Sequence, residues 1–448
     1  MPMKPLRTAA FAICLALLML ALTGCDSADR LSPRDPVTLS MWHNYGGDMQ
    51  QTMDLLIDEF NATVGKEKGI TINVTAISSS SDLNRSLEMI ANGDPGAPDM
   101  PDIFTGYPKV AAWFVEKEKL LPLDKYFTED ELSQYIGAFV QEGRFADGKL
   151  YVFPVAKSTE VLYLNQTLFD AFAEATGAEV EMLSTFEGLA QLSRMYYEWS
   201  GGKHFFTADA WFNLVAAGMA QLGAQWHDES GNLLLDNDAF RRIFETLYAP
   251  VSEGGFALYD GYSSDLSKTG DIICSTGSSA GILFYGDTIT YADGTVKDVE
   301  YSILPYPVFE GGENWAIQRG GGLMISKTSE KRALAATEFI KWLTAPEQNM
   351  RFIASTGYLP VTKLAFEEEL PAHLESLEDA RIKKMLTTVL TMYEEYDFFT
   401  MPNLPELESA SDRCEQNMMR MFQRGREANL SGNPITAAEA LTDLIAQD

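Results

Sequence analysis

Hydrophobic and polar positions alternate through Val37-Thr38-Leu39-Ser40-Met41-Trp42; after a Gly46-Gly47 turn, Met49, Met53, Leu56, Ile57 and Phe60 recur at helical spacing. A period of two sends successive side chains to opposite faces of a strand, whereas spacings of three and four stack them on one face of a helix. Alternation resumes at Ile70, Ile72, Val74 and Ala76, so the pattern predicts strand, helix, strand. Asp82 is expected to cap a further amphipathic helix through Leu83, Leu87 and Ile90. Gly93, Pro95, Gly96 and Pro98 break that helix before the short apolar strand Asp102-Ile103-Phe104. The order predicts an α/β class with a parallel sheet, in which ligands bind in loops beyond the carboxyl ends of the strands. Those loops are residues 42–48, 78–82 and 105–109.

The N-terminus changes the picture of compartment. Lys4 and Arg7 precede an uncharged run over residues 8–23, the arrangement of a signal peptide and too short for a comfortable membrane span. The run ends in Leu22-Thr23-Gly24-Cys25, which resembles the lipobox of bacterial lipoproteins and implies cleavage after residue 24 and a lipidated Cys25. An ordinary secretory signal with an incidental cysteine is the alternative. Residues 1–24 are thus read as a lipoprotein signal peptide and residues 25–36, polar and carrying two prolines, as a tether. The expected location is the cell envelope, exported and held on the periplasmic or extracellular face of a membrane.

Charge excludes one class of partner. The chain carries 34 Lys and Arg against 64 Asp and Glu, a net charge of −30 that becomes −32 once Lys4 and Arg7 leave with the signal. Nucleic acid requires a basic footprint and is not expected. The histidines His43, His204, His227 and His373 show no paired spacing, so no metal is expected, and no motif calls for a cofactor. Cys274 and Cys414 either form a disulfide or stay as two buried thiols. About 424 mature residues point to two domains rather than one core.

From Tyr151 the chain reads Tyr-Val-Phe-Pro-Val-Ala-Lys-Ser-Thr-Glu-Val-Leu-Tyr-Leu-Asn-Gln-Thr-Leu-Phe-Asp, an extended segment running into a helix. It resembles the extracellular solute-binding proteins of sugar-type ABC importers. Further matches are Met41-Trp42-His43 with Gly46-Gly47, Ala97-Pro98-Asp99, Gly321-Gly322-Leu323-Met324-Ile325-Ser326-Lys327, Thr344-Ala345-Pro346-Glu347, Thr356-Gly357-Tyr358-Leu359-Pro360 and Met401-Pro402-Asn403-Leu404-Pro405. The resemblance implies a two-lobed periplasmic-binding-protein-like fold with the ligand cleft between lobes. Lobe one would be residues 37–156 and 321–370, and lobe two residues 157–320 and 371–448. It further implies a monomer that captures a sugar or polyol, without turnover, for an ABC transporter permease. Glycerol 3-phosphate or a glycerophosphodiester is the alternative ligand.

A polyol presents hydroxyls at its edge and a weakly positive C–H face, so its site needs aromatic platforms and short polar groups. Trp42, His43, Asn44, Tyr45 and Asp48 cluster at the end of the first strand, although Trp42 is equally the last core residue of that strand. Ser80, within the run 78–81, offers a hydroxyl to a ligand or belongs to a plain helix cap. Thr105 and Tyr107 follow the third strand, and the resemblance places Lys157, Ser158 and Thr159 on the cleft floor. It also makes Trp211 the stacking platform of lobe two, with a core tryptophan as the competing reading. Arg319 and Gly321 lie at the second crossing between lobes. There Arg319 pairs either an anionic ligand or an acidic neighbour, the latter favoured by count. Tyr358 is a cleft donor in its Gly-Tyr-Leu-Pro turn.

Gly277-Ser278-Ser279-Ala280-Gly281 satisfies the G-x-S-x-G pattern of hydrolases. A secreted serine esterase built on Ser279 is therefore the rival from another class, with His373 the only later histidine. The resemblance instead makes Ser278 and Ser279 ligand-binding hydroxyls, and this reading is preferred. Arg319-Gly320-Gly321-Gly322 lacks the Lys and Ser or Thr of a phosphate-binding loop.

Overall fold

The computed structural model describes residues 30–446 except residue 78, with side chains described except at 48, 80 and 405. The expected signal peptide and Cys25 lie outside the described residues, as do the side chains of Asp48 and Ser80. Among the described residues no helix is long and apolar enough to cross a membrane.

Strands β1 (Val37–His43), β2 (Ile70–Ala76) and β3 (Ile103–Gly106) run parallel in the order β2-β1-β3, as the alternation predicts. Val37, Leu39 and Met41 pack on Met53, Leu56, Ile57 and Phe60 of the helix Asp48–Ala62 and on Phe339 and Ile340 of the helix Glu330–Leu343. The opposite face carries Trp42 and Phe104 against Leu83, Leu87, Val110 and Phe114. Helices thus cover both faces, the arrangement that parallel strands require. The cap of the helix Ser80–Asn92 is Ser79 rather than Asp82. The Ser79 hydroxyl accepts the Asp82 N–H and donates to its carboxylate, so one short polar pair closes the first turn.

β4 (Phe153–Pro154) belongs to this first sheet, and three residues later the chain enters a second one as β5 (Ser158–Asn165). β5 is buried along its whole length. It pairs antiparallel with β7 (Cys274–Ser278) and with the strands Tyr301–Leu304 and Trp315–Arg319, while β6 (Phe206–Ala208) lies parallel beside β7. A parallel sheet does not describe this half. β5 starts at the crossing and Trp315–Arg319 returns to it, so these two neighbours run in opposite directions, in a sheet that mixes antiparallel and parallel pairs.

From Arg319 the chain passes through Gly320 and Gly321 into the strand Gly322–Ile325, which pairs antiparallel with β3 and β4 of the first sheet. A third segment lies alongside: the Lys157 N–H donates to the Leu359 carbonyl at 3.3 Å and the Leu359 N–H returns a bond to Lys157 at 2.6 Å. The strands meet backbone to backbone. A Cβ on Gly320 would sit 2.5 Å from the Ala156 oxygen and 2.7 Å from the Lys157 Cα, at a φ of +103°. Only glycine allows both the approach and the dihedral.

Cys274 is a free, buried thiol whose Sγ lies 3.6 Å from the Phe205 carbonyl, so no disulfide joins it to Cys414. Of the two readings open for this pair, the reduced one holds for Cys274.

Gly320→Ala is expected to lower unfolding stability by about 2 kcal/mol or more, from the strained dihedral and the clash together. Gly294→Ala provides the comparison: its φ is +83° but nothing lies within 4 Å of the added Cβ. Urea melts of the two variants should separate them, the Gly320 substitution being clearly the worse.

Candidate functional site

The crossing strands form the floor of a cavity of about 710 Å³ that opens between the two sheets. One wall comes from the first sheet: Asn84 and Glu88 of the helix Ser80–Asn92, then Tyr107 and the helix Pro108–Val115 with Lys109 and Trp113. The other wall carries Asn213 near the start of the helix Trp211–Gln221, Tyr262, Gln318 and Arg319. Met401, Asn403 and Leu404 close one side, followed by Glu408, Asp412 and Glu415 of the helix Pro405–Leu430. A small recess of about 30 Å³ adjoins it, formed by Asn44, Tyr45, Thr105, Tyr107, Gly321 and Tyr358.

The recess therefore unites six of the positions named from sequence. Thr105 Oγ1 donates to Asn44 Oδ1 at 3.1 Å, and Gly321 lies so near Gly106 that a Cβ would be 3.0 Å from its carbonyl oxygen. Tyr45 packs edge-on against Phe352 and Tyr358, and Tyr358 stacks on Phe352. Burial raises the Tyr358 phenol far above its usual range; the hydroxyls of Tyr107, Tyr45 and Tyr262 add to this and the Arg319 guanidinium opposes it.

Several expected residues lie elsewhere. His43 is fully buried beneath the floor, where its Nδ1 accepts the Tyr45 N–H at 3.3 Å and burial lowers its pKa. Trp42 sits half-buried in the core between the helices Ser80–Asn92 and Pro108–Val115. Trp211 is 2% exposed and packs its edge against Phe422, so it offers no open platform. Trp226 is likewise in the core, against Phe212. Ser158 is buried and accepts a bond from the half-exposed Ser278 hydroxyl at 3.2 Å. Ser279 has no exposed surface and its Oγ accepts the Thr159 N–H at 3.3 Å. A nucleophile elbow needs an exposed serine facing an imidazole; here His373 instead bonds the Glu369 carbonyl.

Lys157 is internal to the hinge. Its ammonium donates to Glu142 Oε2 at 2.6 Å and to the Gly320 carbonyl at 3.0 Å, and Gln318 donates to the same carboxylate. Burial lowers the Lys157 pKa, against the pull of Glu142. The pair joins the first sheet's helix Gly137–Glu142 to both crossing segments.

Asn84, Trp113, Asn213 and Tyr262 were not anticipated. Asn84 with Glu88, and Lys109 with Trp113, are four residues apart on their helices, so each pair shares one face. That spacing was available in the sequence. Tyr262, 69% exposed, stands in an irregular loop that no periodicity marks.

Comparison with known proteins agrees with this architecture. A family model described as bacterial extracellular solute-binding protein matches residues 56–377. A maltotriose-binding protein of Pyrococcus abyssi is 24% identical over 335 residues, 72% of this chain and 66% of that one. The sn-glycerol-3-phosphate-binding periplasmic protein UgpB of Brucella abortus is 24% identical over 350 residues, 74% of this chain and 76% of that one. Among solved structures, an ABC substrate-binding protein of Listeria monocytogenes in complex with cycloalternan superimposes with a TM-score of 0.71 at 18% identity, covering 92% of this chain and 98% of that one. UgpB of Mycobacterium tuberculosis in complex with glycerophosphocholine gives 0.68 at 17% identity, with coverage of 92% and 98%. These likenesses establish the two-lobed α/β fold.

Glu142→Gln is expected to destabilise the protein by roughly 3–5 kcal/mol, because it leaves a buried ammonium uncompensated. Adding Lys157→Met should recover part of that loss, and a double-mutant cycle by urea denaturation measures the coupling.

Proposed function

The chain belongs to the bacterial extracellular solute-binding protein family, and on that premise we propose that it captures a neutral sugar or polyol in the cleft between its lobes. The loaded protein then delivers the solute to the permease of an ABC transporter. The carrying observation is the chemistry of the cavity wall. It combines the aromatic faces of Tyr107, Trp113 and Tyr262 with the amides of Asn84, Asn213 and Asn403. Lys109 and Arg319 are the cations among its described lining residues, and each is paired with a carboxylate: Lys109 with Glu408 at 2.8 Å and Arg319 with Glu160 at 2.9 Å. Aromatic faces suit sugar C–H surfaces, while amides and carboxylates suit hydroxyls.

Besides the Gln318 bond to Glu142, two further contacts among the described residues span the cleft. Lys109 to Glu408 links the helices Pro108–Val115 and Pro405–Leu430, and Asn403 Nδ2 donates to the Glu142 carbonyl at 3.1 Å. The ion pair is 48% and 30% exposed, which limits it to at most about 1 kcal/mol. A ligand that touches both walls supplies the larger bias toward closure.

The same proposal includes lipid anchoring through Cys25, supported by Leu22-Thr23-Gly24-Cys25 following the apolar run. It also includes the lobe division at residues 156/157 and 320/321, supported by the chain's passage between sheets there. The burial of Ser279 and its bond from the Thr159 amide favour binding over ester hydrolysis.

A thermal-shift screen of the exported chain against neutral mono- and oligosaccharides, polyols and glycerophosphates tests the ligand class. At a hundredfold excess over Kd a true ligand adds about 2.7 kcal/mol of stability. At least one neutral compound should raise Tm. Removing the aromatic face by Tyr262→Ala should weaken that compound by roughly 3- to 10-fold in calorimetry. A rise with glycerophosphates alone would overturn the neutral-ligand reading.

A further inference from the structure

Glu160 lies in β5 with its side chain 2% exposed, and its Oε1 accepts two bonds. One comes from Arg319 Nη1 at 2.9 Å, the other from Asn213 Nδ2 at 2.8 Å. Both donors line the cavity, and the Arg319 side chain keeps a quarter of its surface open. A second carboxylate, Asp209, acts on the same guanidinium while its Oδ1 accepts the Ser263 N–H at 2.6 Å. Around Arg319 there are thus two carboxylates for one cation.

Anions are also drawn to helix N-termini, where backbone N–H groups lack partners. The helix Trp211–Gln221 starts at this wall and its Ala210 cap offers no side-chain oxygen. That place is taken: Glu415 of the helix Pro405–Leu430 accepts the Phe212 N–H at 3.0 Å. Arg319 and the start of the helix Trp211–Gln221 are thus each met by one of the protein's own carboxylates.

We infer that Glu160 is a specificity-determining residue of the cleft: by neutralising Arg319 at the cavity wall, it makes the site reject anionic solutes and leaves the guanidinium as a donor to uncharged hydroxyls. A guanidinium has five N–H donors, and Glu160 engages it through Nη1. The rest of the fork can bond a neutral hydroxyl, while its charge is already compensated. An incoming anion instead meets a guanidinium already paired with a carboxylate, and like-charge juxtaposition with Glu160 discriminates strongly between partners. The inference rests on the cleft being the ligand site.

Glu160→Gln tests it, because the amide keeps the shape and the acceptor oxygen while removing one negative charge. Calorimetric titration with sn-glycerol 3-phosphate and with inorganic phosphate compares the parent, Glu160→Gln, and Glu160→Gln with Arg319→Gln. The parent should show weak or undetectable affinity, Glu160→Gln roughly tenfold or greater tightening, and the double variant loss of that gain. Asp209→Asn removes the second carboxylate and should shift anion affinity in the same direction, so it carries the test if Glu160→Gln does not fold. Folded variants that bind either anion no more tightly than the parent would overturn the inference, as would a parent that already binds them well. If no neutral solute binds the parent but the variants gain anion affinity through Arg319, the proposed ligand class fails and the role of Glu160 stands.

Discussion

The rest of the molecule depends on the close approach of three backbone segments where the chain passes between its two sheets. Gly320 lies against Ala156 and Lys157, and Lys157 exchanges two backbone bonds with Leu359. Because these contacts are made by backbone, the crossing leaves no room for a side chain at Gly320. Arg319 then faces one sheet's end of the cleft, and Gly321, against Gly106, forms the other. The buried pair of Lys157 and Glu142 fixes how the first sheet's helix meets this crossing. Geometry at the floor of the cleft is therefore set by packing that no ligand has to create, which is the condition for low-cost binding.

Electrostatics builds on that floor. A chain with a net charge of −30 has carboxylates to spare, and at the cleft they meet the available cations. Arg319 is held by Glu160, Lys109 by Glu408 and Lys157 by Glu142. The Arg319 guanidinium stays firmly protonated because Glu160 and Asp209 both favour its charge. Burial raises the pKa of both carboxylates; Arg319 and the Asn213 amide oppose this at Glu160, and Ser263 and then Arg319 oppose it at Asp209. The arrangement is mutually dependent: remove the cation and the carboxylates lose their compensation, remove a carboxylate and the cation becomes available.

Much of the first sheet was legible because its strands and helices carry clean periods of two and of three to four. The errors about the site come from rotation rather than from location. Leu39, Met41 and His43 share one face by alternation, so the pattern that located β1 already assigned His43 to the core with its neighbours. Trp42 points the other way, but that face is covered by two helices. Trp211 and Asn213 differ by two residues, about 200° around a helix, so the tryptophan faces the core while the asparagine reaches the cavity. Position along the chain identified the right helix start, and only the packing of Phe422 on Trp211 determines which side is buried. The second sheet's antiparallel order was not legible because it follows from the direction in which strands return to the crossing. Tyr262 was missed for a related reason: its loop is placed by the Ser263 amide bonding Asp209, a contact 54 residues apart in sequence.

The two walls of the cleft are joined far more weakly than either is built. Across the mouth, the described residues supply one half-exposed ion pair, Lys109 with Glu408, and amide bonds from Asn403 and Gln318 to Glu142, while on the other side of the crossing Ile353, Leu359, Phe366 and Leu370 share an apolar cluster with Ile282 and Met385. A ligand in the cavity biases the closed state through the contacts it makes on both walls. A ligand that satisfies Arg319 and Asn213 on one wall and Tyr107, Trp113 and Asn84 on the other couples the bodies through groups that are already oriented. On the proposed reading the charge pairing bears on more than affinity: a solute that cannot approach Arg319 favourably cannot bridge the walls, so Glu160 would act on closure as well as on ligand choice.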